Sequence, residues 1–188
     1  MNKLIAFDFS GTLEIVDKPA YPDMAEALGE AIADNPGLHF GIATNGSLLR
    51  VTNFLFKNEV EPMFKNSSGE LLAAGSYTEV TFEDVVEFAV PKNWMEKLSG
   101  RYTDKDIRVE TRTDFLREKP SGDLLGYLIR KAGVEDASSA VFIGDESVDQ
   151  GEAYSAKVSF IRVDGFQTNR GSMRPLLQTA VEEVTHSY

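Results

Sequence analysis

Strand-like and helix-like segments alternate along this chain, and that alternation constrains the fold more than any other feature. Residues 4–9, 39–44, 140–143 and 158–163 are short apolar runs bounded by turn formers, as strands buried on both faces are. Between them, residues 23–33 set Met24, Ala27, Leu28, Ala31 and Ile32 on one helical stripe, which Asn35-Pro36-Gly37 ends. A second helix is expected after Ser47, a candidate cap, with Leu48, Val51, Leu55 and Phe56 at helical spacing. Further helices are expected over 121–132 (Leu124, Leu125, Leu128 and Ile129 inward), 147–156 and 173–184. Repeated strand–helix units predict an α/β fold, a doubly wound parallel sheet of Rossmann-like form. Such sheets bind ligands beyond the carboxyl ends of their strands. Three of the strands end at Asp8, Thr44 and Asp145.

The rhythm breaks between about residues 66 and 113. This stretch holds the turn Asn66-Ser67-Ser68-Gly69, an acidic run over 79–87, the only tryptophan (Trp94) and a strand-like segment at 107–111. We expect a core domain from residues 1–66 and 113–188, with a small cap-like insertion over 67–112. Trp94 reads as packing, and the acidic run as surface. Arg101, Lys105, Arg108, Arg112, Arg117 and Lys119 form a local basic cluster, read either as a solvated face or as a site for a second anionic group.

Composition removes several chemistries. The chain has no cysteine, which excludes disulfides, thiolate metal sites and a cysteine nucleophile. Its two histidines, His39 and His186, are too few for a three-histidine metal site; His39 reads as structural, and His186 lies in the tail. A net charge of −11 opposes non-specific binding to nucleic acid. No apolar run approaches a membrane span, and the apolar stretch at the start is too short for a signal peptide. The expectation is a soluble cytoplasmic protein.

Phosphate-ester cleavage without histidine or cysteine can begin with a carboxylate at a strand end, which accepts the phosphoryl group covalently. The phosphoryl charge then needs cations, hydroxyls and amides around it. Asp8 offers the carboxylate. The turn Ser10-Gly11-Thr12 offers backbone N–H groups, and Thr44 with Asn45-Gly46 a hydroxyl and further amides. Lys119, before Pro120 and a helix, offers a positive charge. Asp145 and Asp149 are hard oxygen ligands suited to Mg2+. Each has an ordinary alternative: Asp8 as a turn cap, Lys119 as a solvated residue, Asp145 and Asp149 as a pair favoured by a helix dipole.

In this order the motifs Asp8-Phe9-Ser10-Gly11-Thr12, Thr44, Lys119-Pro120 and Gly144-Asp145-Glu146-Ser147-Val148-Asp149 resemble those of the haloacid dehalogenase (HAD) superfamily. The resemblance runs from Leu4 to about Gly165. It implies a Rossmann-like core and a Mg2+-dependent phosphatase acting on a small phosphorylated metabolite, such as a sugar phosphate. By the same resemblance Asp8 is the nucleophile, while Asp8, the Ser10 carbonyl and Asp145 hold the metal. Thr12, Thr44, Asn45 and Lys119 would bind phosphate, and Asp149 would orient Lys119 or a metal-bound water. The insertion stands where one subgroup carries its cap. The run Phe64 to Glu70 is similar to the approach to caps in sugar-phosphate phosphatases, and Gly144 to Tyr154 to trehalose-phosphate phosphatases. Lys119-Pro120-Ser121-Gly122 is closer to capless or small-cap relatives.

One departure affects chemistry. Family phosphatases usually carry a second Asp two residues after the nucleophile, as general acid and base, and this chain has Ser10. Such catalysis contributes about 10²–10⁴-fold. The loop is also similar to the phosphorylation loop of P-type ATPases. The alternative reading is therefore a low-turnover phosphate-binding or phospho-accepting module. A receiver domain fits poorly, because a Gly-Asp-x-x-x-Asp segment follows the lysine. A dinucleotide site lacks the G-x-G-x-x-G spacing.

Overall fold

The computed structural model describes residues 2–81, 108–111, 116–165, 167 and 170–186. Trp94, the acidic residues 82–87, and Arg101, Lys105 and Arg112 of the basic cluster lie outside them.

Six strands form the main sheet: β1 (Lys3–Phe7), β4 (Leu38–Ser47), β5 (Ala73–Thr81), β6 (Arg108–Thr111), β7 (Ala140–Gly144) and β8 (Ser159–Arg162). Their spatial order is β6-β5-β4-β1-β7-β8. All neighbours are parallel except β6, which runs antiparallel to β5 at the edge. Two short strands, β2 (Glu14–Ile15) and β3 (Lys18–Pro19), form a separate hairpin just after β1. The α-helices among the described residues are α1 (Met24–Asp34), α2 (Leu48–Lys57), α3 (Asp123–Lys131), α4 (Ser147–Ala156) and α5 (Arg174–His186). None is long and apolar enough to cross a membrane.

Alternation along β1 builds a core on each face of the sheet. Ile5 and Phe7 point to one side, with Phe40, Ile42, Val51, Phe54, Leu55, Leu177 and Val184. Leu4 and Ala6 point to the other, with Ala43, Leu124, Leu125, Leu128 and Ala153. Helices α1, α2 and α5 thus cover one face, and α3 and α4 the other. That double cover is why the central strands read as continuous apolar runs.

The expected elements form with small shifts, and three details differ. Phe56, placed on the inward stripe of α2, is 75% exposed, and Phe54 takes the buried position instead. At 100° per residue, Phe56 lies a full step beyond Leu55 and leaves the apolar stripe. Ser47 makes no capping hydrogen bond at the start of α2, and its hydroxyl is buried without a partner among the described residues. The stretch 67–112 also begins inside the main sheet. Its β5 pairs in parallel with β4, with Ile42, Ala43 and Thr44 beside Ala73, Ala74 and Gly75. Beyond Ser47 the strand β5 continues with β6 alone, so a two-stranded ribbon projects past the carboxyl edge of the sheet.

Candidate active site

Register brings the three polar strand ends together. Phe7 pairs with Ile42 on one side and Ile143 on the other, so the next residues, Asp8, Ala43 and Gly144, share one level. The amide of Asp8 donates to the Ile143 carbonyl at 2.8 Å. Asp8 and Asp145 thereby follow the ends of β1 and β7, and Thr44, expected to end its strand, stands near them within β4, which runs on to Ser47.

Lys119 arrives at this edge from the turn before α3, and its side chain is almost wholly buried. Its ammonium donates to Asp8 Oδ1 at 2.5 Å and to Asp149 Oδ1 at 2.7 Å. The other oxygen of Asp149 closes the start of α4, accepting the amides of Asp145 (3.2 Å) and Glu146 (3.0 Å). Asp149 thus combines the helix-start and functional readings: one oxygen serves each. Gly144 makes this possible, because a Cβ there would lie 2.6 Å from the Asp149 Cβ.

Oxygen atoms of Asp8, Asp145 and Asp149 all lie within 4.8 Å of one another. Burial raises the Asp8 carboxyl to about 7, against the pull of the Lys119 cation, with the Asp149 carboxylate adding to the rise. Burial, and then the Asp149 charge, raise Asp145 as well. Three carboxylates with one ammonium leave an excess of negative charge. An all-oxygen donor set of this kind fits a hard divalent cation such as Mg2+.

The remaining predicted residues take varied places. Thr44 is buried, and its hydroxyl oxygen accepts the Gly46 amide at 3.0 Å, which leaves its O–H available to donate. Asn45 holds the lysine turn, its Oδ1 accepting the Lys119 amide at 2.8 Å. Thr12 is fully buried and its hydroxyl donates to Asp145 Oδ1 at 3.3 Å, while its amide faces the Phe9 carbonyl at 3.4 Å. The Gly11 amide, expected to face an anion, donates to Glu14 O at 2.8 Å. Gly11 therefore shapes the loop through an internal bond, and Thr12 joins the loop to Asp145. Ser10 is exposed. Arg117 of the basic cluster forms a two-pronged pair with Asp123, at 2.9 and 3.0 Å. A cavity of about 480 Å³ opens beside Asp145, lined by Arg162, Val163, Asp164 and Gly165.

Two residues were not anticipated. Arg170 lies over the Tyr21 ring and donates to the carbonyls of Gly11, Thr12 and Asp164, tying the loop after Asp8 to the chain beyond β8. No local pattern marks it, since its partners on that loop lie more than 150 residues away in sequence. Glu152 is fully buried in α4 and accepts three backbone amides at the start of α3. Its position three residues after Asp149, on the same helical face, was a readable signal.

No family model and no curated protein matches this chain. Solved structures do resemble it over nearly its whole length. A 4-nitrophenylphosphatase from Thermotoga maritima superposes with a TM-score of 0.58 at 14% identity, covering 96% of this chain and 97% of that one. A HAD-superfamily hydrolase of subfamily IA from Geobacter sulfurreducens gives 0.55 at 12% identity, covering 95% and 100%. A HAD-superfamily hydrolase from Ehrlichia chaffeensis gives 0.55 at 10%, covering 98% and 99%. The chain has the HAD-like fold, a five-stranded parallel sheet flanked by helices, with an antiparallel edge strand added.

Proposed function

We propose that the protein is a cytoplasmic, Mg2+-dependent phosphatase that transfers the phosphoryl group of a small phosphorylated metabolite, such as a sugar phosphate, to Asp8. The observation that carries this reading is the convergence of Asp8, Lys119, Asp145 and Asp149 at one sheet edge, in the order of the HAD motifs. The similar Thermotoga protein is a 4-nitrophenylphosphatase, which supports the reaction class.

Asp8, the Ser10 carbonyl and Asp145 would hold the metal, with Asp149 beside them. Bound Mg2+ supplies charge stabilisation to the phosphoryl oxygens. An Asp8 carboxylate oxygen attacks phosphorus, the ester P–O bond breaks, and the leaving alkoxide takes a proton from water to depart as the alcohol. Water then attacks the phosphorus of the acyl-phosphate, releasing phosphate and regenerating Asp8. Lys119 screens the transferred group, Thr44 donates its hydroxyl, Asn45 holds the lysine turn, and Thr12 steadies Asp145. Asp149 keeps the Lys119 ammonium in place. We assign the role of a cap to the insertion 67–112, because its β5–β6 ribbon rises from the same edge.

Ser10 cannot exchange protons near neutral pH as a carboxylate does, so substrates with good leaving groups are favoured. The test is phosphate release with Mg2+ from a panel of esters that includes 4-nitrophenyl phosphate. Release above an Asp8→Asn control is expected, and none above it would overturn the proposal. Ser10→Asp should raise turnover on alkyl phosphates by up to about 10²–10⁴-fold, and on 4-nitrophenyl phosphate far less. Ser10 in place of a carboxylate also favours a second reading, a phospho-acceptor with slow release. That reading predicts a long-lived label on Asp8 from an acyl-phosphate donor, with little free phosphate.

A further inference from the structure

Glu152 is a fully buried carboxylate that the proposed reaction does not use. Its Oε1 accepts the amides of Leu124 at 3.0 Å and Leu125 at 3.1 Å, and its Oε2 that of Gly122 at 2.6 Å. These are N–H groups of the first turn of α3, which a helix cannot satisfy internally. The residue at the cap position, Gly122, has no side chain to do so. A carboxylate from α4 performs that task instead, where the helix dipole favours negative charge.

The clamp is one of several contacts between α4 and the turn that carries Lys119. The Ser155 hydroxyl donates to the Pro120 carbonyl at 2.7 Å. Gly151 lets the helix meet the turn closely, since a Cβ there would lie 2.7 Å from Pro120 Cβ. Lys119 stands three residues before Gly122, and Asp149 three before Glu152. The same helix therefore holds both the ammonium's partner and the backbone from which the ammonium extends.

We propose that Glu152 is a positioning residue for Lys119. It locks the 119–122 turn to the helix bearing Asp149, so that the ammonium and its carboxylate move as one body. A lysine stem has four rotatable carbons, so the reach of Nζ to two oxygens depends on where its backbone is held. The catalytic value of this lock rests on the phosphatase reading above, whereas the lock itself does not.

Two readouts on the intact protein separate those parts. Acetylation of Lys119 by an N-hydroxysuccinimide ester, followed by peptide mass spectrometry, reports the turn without requiring any activity. Glu152→Ala should raise the rate at Lys119 about tenfold, with Glu152→Gln between it and wild type. Leu28→Ala, a core truncation in α1 across the sheet, controls for general destabilisation and should leave that rate unchanged. The kcat/KM for 4-nitrophenyl phosphate should fall as labelling rises, toward the roughly 10²-fold that a displaced catalytic group costs. Labelling in Glu152→Ala no faster than in Leu28→Ala overturns the proposal, as does faster labelling with unchanged turnover. Faster labelling in a protein whose wild type releases no phosphate supports the lock and removes the phosphatase reading. If Glu152→Ala does not fold, Glu152→Gln carries the same comparison.

Discussion

Lys119 places its ammonium between two buried carboxylates, and the residue scale is where its removal is felt. In metal-free protein, Lys119→Met should cost about 3–5 kcal/mol, because Asp8 and Asp149 are left buried without their cation. Urea unfolding of the chelated protein measures this. Adding Asp8→Asn to that variant should recover part of the loss, since it removes one of the two facing charges. A double variant as unstable as the sum of the singles would contradict the shared-cation account. Turnover of Lys119→Met should be lower by about 10²–10³-fold, the effect of losing one donor to the developing charge. Asp8, Thr44, Lys119, Asp145 and Asp149 were all legible as candidates, because strand ends, turns and an ordered set of motifs mark them. What each side chain touches was not. The hydroxyl of Thr12, expected to bind phosphate, donates to Asp145. Arg170 had no signal at all, because a hydrogen bond to a main-chain carbonyl leaves no sequence pattern at its acceptor.

Elements show the same division. Apolar periodicity located five helices and most of the parallel strands, since a buried stripe must repeat with the helix turn. It missed β5, a strand within a stretch that breaks the rhythm, and β2 and β3, too short to carry a period. It also did not show how the first and last helices join. Asp23, before α1, accepts from the Ser172 hydroxyl at 2.6 Å and the Met173 amide at 2.8 Å, and pairs with Arg174 of α5 at 2.9 Å. Burial pushes its carboxyl up, but these bonds outweigh it and hold Asp23 below the ordinary carboxylate range. A depressed carboxyl stabilises the fold above its unfolded value, and that stability is lost as pH falls through the folded one. Below about pH 4, therefore, the stability of wild type should drop more steeply than that of Asp23→Asn. Equal slopes in thermal unfolding from pH 5 to pH 2.5 would show that the junction adds nothing.

At the scale of the molecule, the site is a meeting of distant segments on a rigid sheet edge, and ligands bound there should stabilise the whole fold. At a concentration one hundred times Kd, a ligand that binds only the native state contributes about 2.7 kcal/mol. For a chain of 188 residues that is roughly 5–10 °C in Tm. Mg2+ with orthovanadate, a mimic of the phosphoryl group in flight, should give such a rise by scanning calorimetry. A chelator should abolish it, and Asp8→Asn should remove most of it. An unchanged Tm in wild type at saturating concentrations would count against metal-assisted phosphoryl binding. The β5–β6 ribbon also belongs to this scale. It is defined by pairing across a long stretch of sequence, and its direction past the sheet edge follows only from register.

Alternating units wind a parallel sheet, and Asp8 follows the end of its first strand; both could be read from the residues alone. Those follow from local rules, because apolar spacing and turn residues act within a few positions. The tertiary structure decided what surrounds Asp8. It set Lys119 between Asp8 and Asp149, turned Thr12 toward Asp145, placed Arg170 on the loop, and put a buried Glu152 under the lysine turn. Each of these depends on strand register and helix packing between residues far apart in the chain. In so crowded and buried a site most polar groups find a partner, and only the folded chain settles which one.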